Sequence, residues 1–183
     1  AVATSDLSSA TLTQAVSALI KSGQTAAIKP ALTAISKMSG NQALRDQQRA
    51  LQSIVKSRLL QNQLQLVLEE CQNPDSTLGF WATAAILGVA QEKNTSPETR
   101  EQAVLSTDQM WTKPGHRIRL IKAAAETQNH FLDDRILELT NRPQPDSLAE
   151  VQRAVKALRL TDKLNPNLPR IATIGVDAAL KQF

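Results

Sequence analysis

The sequence predicts an all-α protein, and three observations carry that expectation. Strong helix formers dominate, with 25 Ala, 24 Leu and 17 Gln in 183 residues, and the β-branched and aromatic excess of sheets is missing. Apolar residues recur at i, i+3, i+4 and i+7, the spacing of one helix face. No strand-like alternation of useful length interrupts them. The 42% hydrophobic and 21% charged content suits one domain with a real core, or two small ones at most, and argues against disorder.

The elements follow in order. Leu12, Ala15, Val16, Leu19 and Ile20 form a first stripe, closed by Gly23 as a helix-ending residue. Ile28, Ala31, Leu32, Ile35 and Met38 form a second, closed by Gly40. Asn41 can cap a third helix carrying Leu44, Leu51, Ile54 and Val55. Leu60, Leu64, Val67, Leu68 and Cys71 make a fourth, which stops at Asn73-Pro74. Asp75 or Ser76 caps the fifth and most complete stripe, Leu78, Trp81, Ala82, Ala85, Ile86 and Val89.

Ser96-Pro97-Glu98 then gives a hydroxyl cap, Pro at the first helical position and an acid favoured by the helix dipole. Ala103, Val104 and Trp111 follow on one face. Beyond Lys113-Pro114-Gly115, a seventh helix carries Ile118, Ile121 and Ala125. Leu132, Ile136 and Leu139 mark an eighth, ended near Arg142-Pro143. Asp146-Ser147 starts a ninth with Leu148, Val151, Ala154, Val155 and Leu158. From Asp162, Pro166 and Pro169 read as an extended linker leading to a short helix. The expected organisation is a helical domain over 1–161 and a linker with a short C-terminal helix over 162–183. A start without Met or leader and an abrupt stop at Phe183 read as the edges of a segment from a larger multidomain protein.

A repeat runs through these helices. Gly40-Asn41-Gln42-Ala43-Leu44-Arg45, Pro74-Asp75-Ser76-Thr77-Leu78, Pro114-Gly115-His116-Arg117-Ile118 and Pro145-Asp146-Ser147-Leu148-Ala149 open alternate helices. Small residues follow on each: Ala50, then Ala82 and Ala85, then Ala124 and Ala125, then Ala154 and Ala157. The steps Ala50 to Ala85, Ala85 to Ala124 and Ala124 to Ala157 are 35, 39 and 33 residues. Two helices per step of this size is the period of an α-solenoid. Ala at the contact lets adjacent helices approach, while Leu, Ile and Val fill the seam.

This pattern resembles HEAT-like (armadillo-type) repeats, in which a turn with Pro and Asp precedes a helix of the form Val/Ile-x-x-Ala-x-x-Ala-Leu. The segment from Asp146 to Leu158 carries it most fully. Over roughly residues 25–160 the resemblance implies a right-handed HEAT-like α-solenoid of about four helix pairs. A second resemblance lies in Leu168-Pro169-Arg170-Ile171-Ala172-Thr173-Ile174-Gly175-Val176-Asp177-Ala178-Ala179-Leu180. It is similar to a linker in large exported planctomycete and verrucomicrobial proteins, where a dehydrogenase-like β-propeller precedes HEAT-like helices and a c-type cytochrome. That resemblance implies a periplasmic helical spacer. The Cys-x-x-Cys-His haem attachment pattern is absent here, so no haem or other cofactor is expected.

Chemistry-bearing residues are few. Cys71 ends an apolar stripe and reads as a small buried hydrophobe. With His116 and His130 it is too little for a zinc site, and a single cysteine excludes a disulfide framework. His116, beside Arg117 at a helix start, reads as solvated. His130, in an inter-helix turn, reads as a hydrogen-bonding side chain. Glu69-Glu70 and Asp133-Asp134 are neighbours about 100° apart on a helix and make no shared-proton dyad. Asp133 and Asp134 suit a first turn. With six glycines and no phosphate-binding loop, nucleotide chemistry is not expected. No catalytic, cofactor-binding or metal residue is assigned, and the chain is not expected to be an enzyme.

Two basic groupings remain. Arg153, Lys156, Arg159 and Lys163 follow 3, 3 and 4 spacing opposite an apolar stripe, which predicts one exposed basic face on a late helix. Lys113, His116, Arg117, Arg119 and Lys122 cluster earlier and are expected on a solvated outer face. The first grouping is the candidate docking face for a protein partner or for neighbouring domains of the same chain. The net charge of +4 is spread evenly, +2 on each side of Gln91. That is modest for phosphate binding, and no apolar run reaches membrane-span length. The function expected is therefore a non-catalytic helical-repeat scaffold or protein-interaction module. The alternative is a nucleic-acid-binding module of DNA-repair type, using Trp81, Trp111 and the nearby basic cluster.

Overall fold

Hydroxyl caps set where several helices begin. The computed structural model describes residues 8–72, 76–141 and 146–164. Ser8 accepts from the Thr11 N–H at the head of α1 (Ser9–Ser22). Ser76 does the same from Gly79 at 2.7 Å for α6 (Thr77–Gln91). Ser96 accepts from Thr99 for α7 (Pro97–Trp111), with Pro97 in its first turn. Each cap satisfies a backbone donor that the helix itself cannot. Gly23 closes α1 at φ 63°, a left-handed conformation that costs glycine little.

Between these lie α2 (Ile28–Ser36), α3 (Ala43–Val55), α4 (Arg58–Asn62) and α5 (Leu64–Glu70). After α7 come α8 (Pro114–Thr127), α9 (Asp133–Asn141) and α10 (Leu148–Ala157). Short 3-10 turns occupy Thr25–Ala27 and Leu160–Lys163. The chain is all-α among the described residues.

Several local expectations are corrected. Asn41 does not cap the third helix, because α3 starts at Ala43 after Gln42, with no side-chain cap bond. The fourth stripe is two helices, since Gln63 leaves helical geometry (φ −124°, ψ 15°) and its N–H closes a tighter turn on the Leu60 carbonyl. That break still buries Leu60, Leu64 and Val67. Ala15, Leu44 and Leu148, placed in apolar stripes above, are exposed. Leu44 and Leu148 lie in first turns, where helical period alone does not bring cover from a neighbour. In the 3-10 turn Leu160–Lys163, Leu160 is buried, and Leu164 just after it packs on the core. The linker and short helix expected beyond it lie outside the described residues.

Packing follows chain order. Helix α3 packs on α6, α6 on α8, and α8 on α10. The helix before each also packs on it: α2 on α3, α5 on α6, α7 on α8 and α9 on α10. Helix α1 adds to one end, against α2 and α3. Ile28, Leu32, Ile35, Ile54, Ile86, Leu87, Leu120, Ile121, Leu132 and Ile136 are fully buried in one continuous core. Ala50, Ala82, Ala85, Ala124 and Ala154 are buried with them, whereas Ala125 and Ala157 are half-buried.

Gly88 marks a close helix contact. A Cβ built there would lie 2.6 Å from Val55 Cγ2, so α3 and α6 meet where only glycine fits. Gly88→Ala gains about 1 kcal/mol of helix propensity but overpacks a β-branched, rotamer-restricted neighbour by about 1–3 kcal/mol. A net loss of about 1 kcal/mol is expected in urea denaturation. The sign should reverse in a Val55→Ala background, where the added methyl fills the space vacated.

Candidate functional site

The docking face expected on the last helix is divided. Arg153, Lys156, Arg159 and Lys163 are all exposed, but α10 ends at Ala157, so only Arg153 and Lys156 lie on it. Arg159 sits in a left-handed turn at φ 55°, and Lys163 belongs to the following 3-10 turn. Lys163 Nζ donates to Asp133 at 3.2 Å, and Arg153 lies 3.7 Å from Glu150. The spacing of 3, 3 and 4 required a helix that continues past Leu158, and the chain turns there instead.

The earlier basic cluster is not a solvated face. His116 and Arg117 are each 9% exposed and Arg119 is 4% exposed, while Lys113 and Lys122 are exposed. A guanidinium nitrogen of Arg119 donates to the Cys71 carbonyl at the end of α5. The same nitrogen lies 3.0 Å from His116 Nδ1. A cationic guanidinium only donates, so His116 Nδ1 is the acceptor. Arg117 reaches Asp146 at 3.5 Å, and its Nε is buried without a partner among the described residues. These side chains tie α8 to α5 and to the start of α10. Buried polar groups joined in this way hold the packing of these helices in one geometry.

Burial, then the charges of Arg119 and Lys113, lowers His116 below its usual 6.5. The folded state therefore resists a proton that the unfolded chain accepts. Stability present above pH 6.5 is lost as pH falls through the window below it. His116→Asn keeps an acceptor for Arg119 but cannot titrate, so its stability should fall less as pH drops below about 6.5. Equal slopes for the two proteins in pH-dependent denaturation would remove this role from His116.

Cys71 is fully buried as expected, and desolvation raises its thiol to about 11 despite Thr83 and Arg119 beside it. Protonated and enclosed, it has no nucleophile's environment. Trp81 is core, edge-to-face with Phe80 at 5.1 Å. Trp111 is half-buried under Arg135, whose guanidinium lies 5.7 Å from the ring centre and pairs with Asp108. Trp81 is thus held within the core, and one side of the Trp111 ring is engaged by Arg135. His130 makes the hydrogen bond expected of it, Nδ1 to Asp133 at 3.1 Å. Asp133, half of an adjacent acid pair, is buried between His130 and Lys163, whereas Asp134 is exposed. No group of three or more His, Cys, Asp and Glu able to hold a metal occurs among the described residues.

A groove of about 470 Å³ crosses the C-terminal ends of α3, α6 and α8. Leu51, Val55, Ala84 and Gly88 supply its apolar part, and Gln48, Gln52, Gln91, Asn94, Gln128 and Asn129 its amides. Lys56, Glu92, Lys93 and Thr127 complete the lining. Most of these amides serve the fold through one end only. Gln48 Nε2 donates to the Glu126 carbonyl at 2.6 Å, and Gln128 Nε2 donates to the Ala125 and Ala157 carbonyls, each at 3.2 Å. Helix ends leave such carbonyls without intrahelical partners. Gln91 Oε1 accepts from the His130 N–H at 3.3 Å, and Asn129 Oδ1 from the Phe131 N–H at 3.0 Å. Because the partners are backbone groups of fixed polarity, the orientation of each amide is determined.

None of these amides carries a motif in the sequence. Their local signal is Gln or Asn near helix ends in a glutamine-rich chain, and only packing brings three helix ends together. No helix among the described residues is long and apolar enough to cross a membrane. Compared with protein-family models, curated proteins and solved structures, the chain shows no match.

Proposed function

We propose that this chain is a non-catalytic helical-repeat scaffold of HEAT-like type, about four helix pairs stacked as a solenoid, that docks a protein partner or neighbouring domains of the same polypeptide. The observation that carries the reading is the ordered row α3, α6, α8 and α10, each backed by the helix before it, with a groove crossing three members of the row. Stacked pairs offer an extended surface without a reactive centre, which suits holding rather than transforming. Arg153, Lys156 and Arg159 add an exposed cationic rim that favours orientation of an acidic partner. By the C-terminal resemblance, the module is a periplasmic spacer of an exported multidomain protein. Sequence downstream of Phe183 should then carry Cys-x-x-Cys-His within about one domain length, on the order of 150 residues.

Fluorescence titration with duplex DNA at two salt concentrations tests the class. No binding at low salt is expected of the scaffold. Tight binding that collapses as salt rises would assign the chain to nucleic acid instead.

A further inference from the structure

We infer that the groove across α3, α6 and α8 binds an extended, carboxylate-bearing peptide segment through its main chain; this rests on the scaffold reading and names the ligand class. Gln48 and Gln128 spend their N–H groups on helix-end carbonyls and keep their Oε1 atoms as acceptors. Gln91 and Asn129 spend their oxygens and keep their N–H groups as donors. Gln52 and Asn94, both exposed, add amides whose side chains have no hydrogen bond among the described residues. The groove thus presents acceptors and donors together, neutral and largely fixed in orientation. A polypeptide main chain offers the complement, alternating N–H and C=O every ~3.3 Å.

The charges and the apolar lining narrow the ligand further. Lys56 and Lys93 line the groove as exposed ammonium groups without an ion pair among the described residues. Glu92 Oε1 is engaged by the Asn94 N–H at 3.3 Å. A carboxylate on the peptide therefore meets two cations and one acid, a net positive lining. Two lysines are few for a phosphate backbone. No aromatic side chain lines the groove, so it lacks the stacking platforms that nucleobases use. Leu51, Val55 and Ala84 instead suit small aliphatic side chains.

The test is selection of random 12-residue peptides displayed on phage against the full chain, then fluorescence polarisation of the enriched sequences. Enriched peptides should carry Asp or Glu and lose about tenfold or more in affinity on Gln52→Trp, on Lys56→Glu with Lys93→Glu, and on N-methylation of alternate peptide amides. Asn94→Trp is a second groove-filling variant, should Gln52→Trp shift the melting temperature. Equal binding to both filled variants, a flat N-methylation scan, or no enrichment over the filled variants would overturn the inference. Peptides lost on Arg153→Glu with Lys156→Glu, but not on groove filling, would also overturn it while leaving the scaffold reading in place. Salt-sensitive DNA binding would instead strike at that reading. Self-association abolished by Gln52→Trp would give the groove to a second copy and overturn the peptide.

Discussion

Ala85→Glu should unfold the protein. Ala85 is fully buried within α6, the helix that packs on α2, α3, α5, α7 and α8. A glutamate there places a carboxylate where no water reaches and adds volume where helices meet. The expected cost is about 4 kcal/mol or more, a large share of the ~5–15 kcal/mol that holds a domain together. Ala157→Glu, at the half-buried end of α10, is the comparison and should cost less than about 1 kcal/mol. Circular dichroism melts with urea denaturation give both values. A melt for Ala85→Glu that overlays wild type would remove Ala85 from the close helix contact, and with it the alignment of small residues along the repeat.

Arg119→Ala should be nearly as damaging, because the side chain is 4% exposed and works at both ends. Its guanidinium serves the Cys71 carbonyl and His116 Nδ1, and its alkyl stem packs inside the fold. Truncation leaves two buried acceptors without their donor, about 1–3 kcal/mol each, and a void where the stem lay. A loss of about 3–5 kcal/mol is expected in urea denaturation. Arg119→Met keeps the stem and should recover about half of it. Removing the nearby cation should also raise the His116 pKa, since Arg119 is one of the groups that lowers it; titration by NMR reads this directly. An unchanged His116 titration together with unchanged stability would show that Arg119 does not bind α8 to α5.

The two predictions differ in how far the sequence alone reaches. Ala85 sits in an uninterrupted apolar stripe, so its burial follows from period and composition. The cap at Ser96 was equally legible, and that of α6 was narrowed to Asp75 or Ser76, since a cap is a contact within four residues. Arg119 was not legible. Helical period gives it a face, but whether that face meets solvent depends on α5, forty-eight residues away, ending against it. The same holds for Lys163, whose spacing suits a basic face but whose helix ended six residues earlier. Charge is a weak guide here, because a guanidinium beside a buried carbonyl and one beside water are identical in sequence.

The amino-acid sequence by itself determined that the chain is helical, where several helices start or stop, and that small residues recur at steps of 35, 39 and 33 residues. These are consequences of short-range sterics, capping and hydrophobic period. Only the tertiary structure decided that His116, Arg117 and Arg119 are internal, that Gly88 admits Val55, and that the ends of α3, α6 and α8 surround an amide-lined groove. Burial and convergence are properties of contacts between distant segments. Glutamines that look interchangeable along the chain become distinct once each is bonded to a particular helix end.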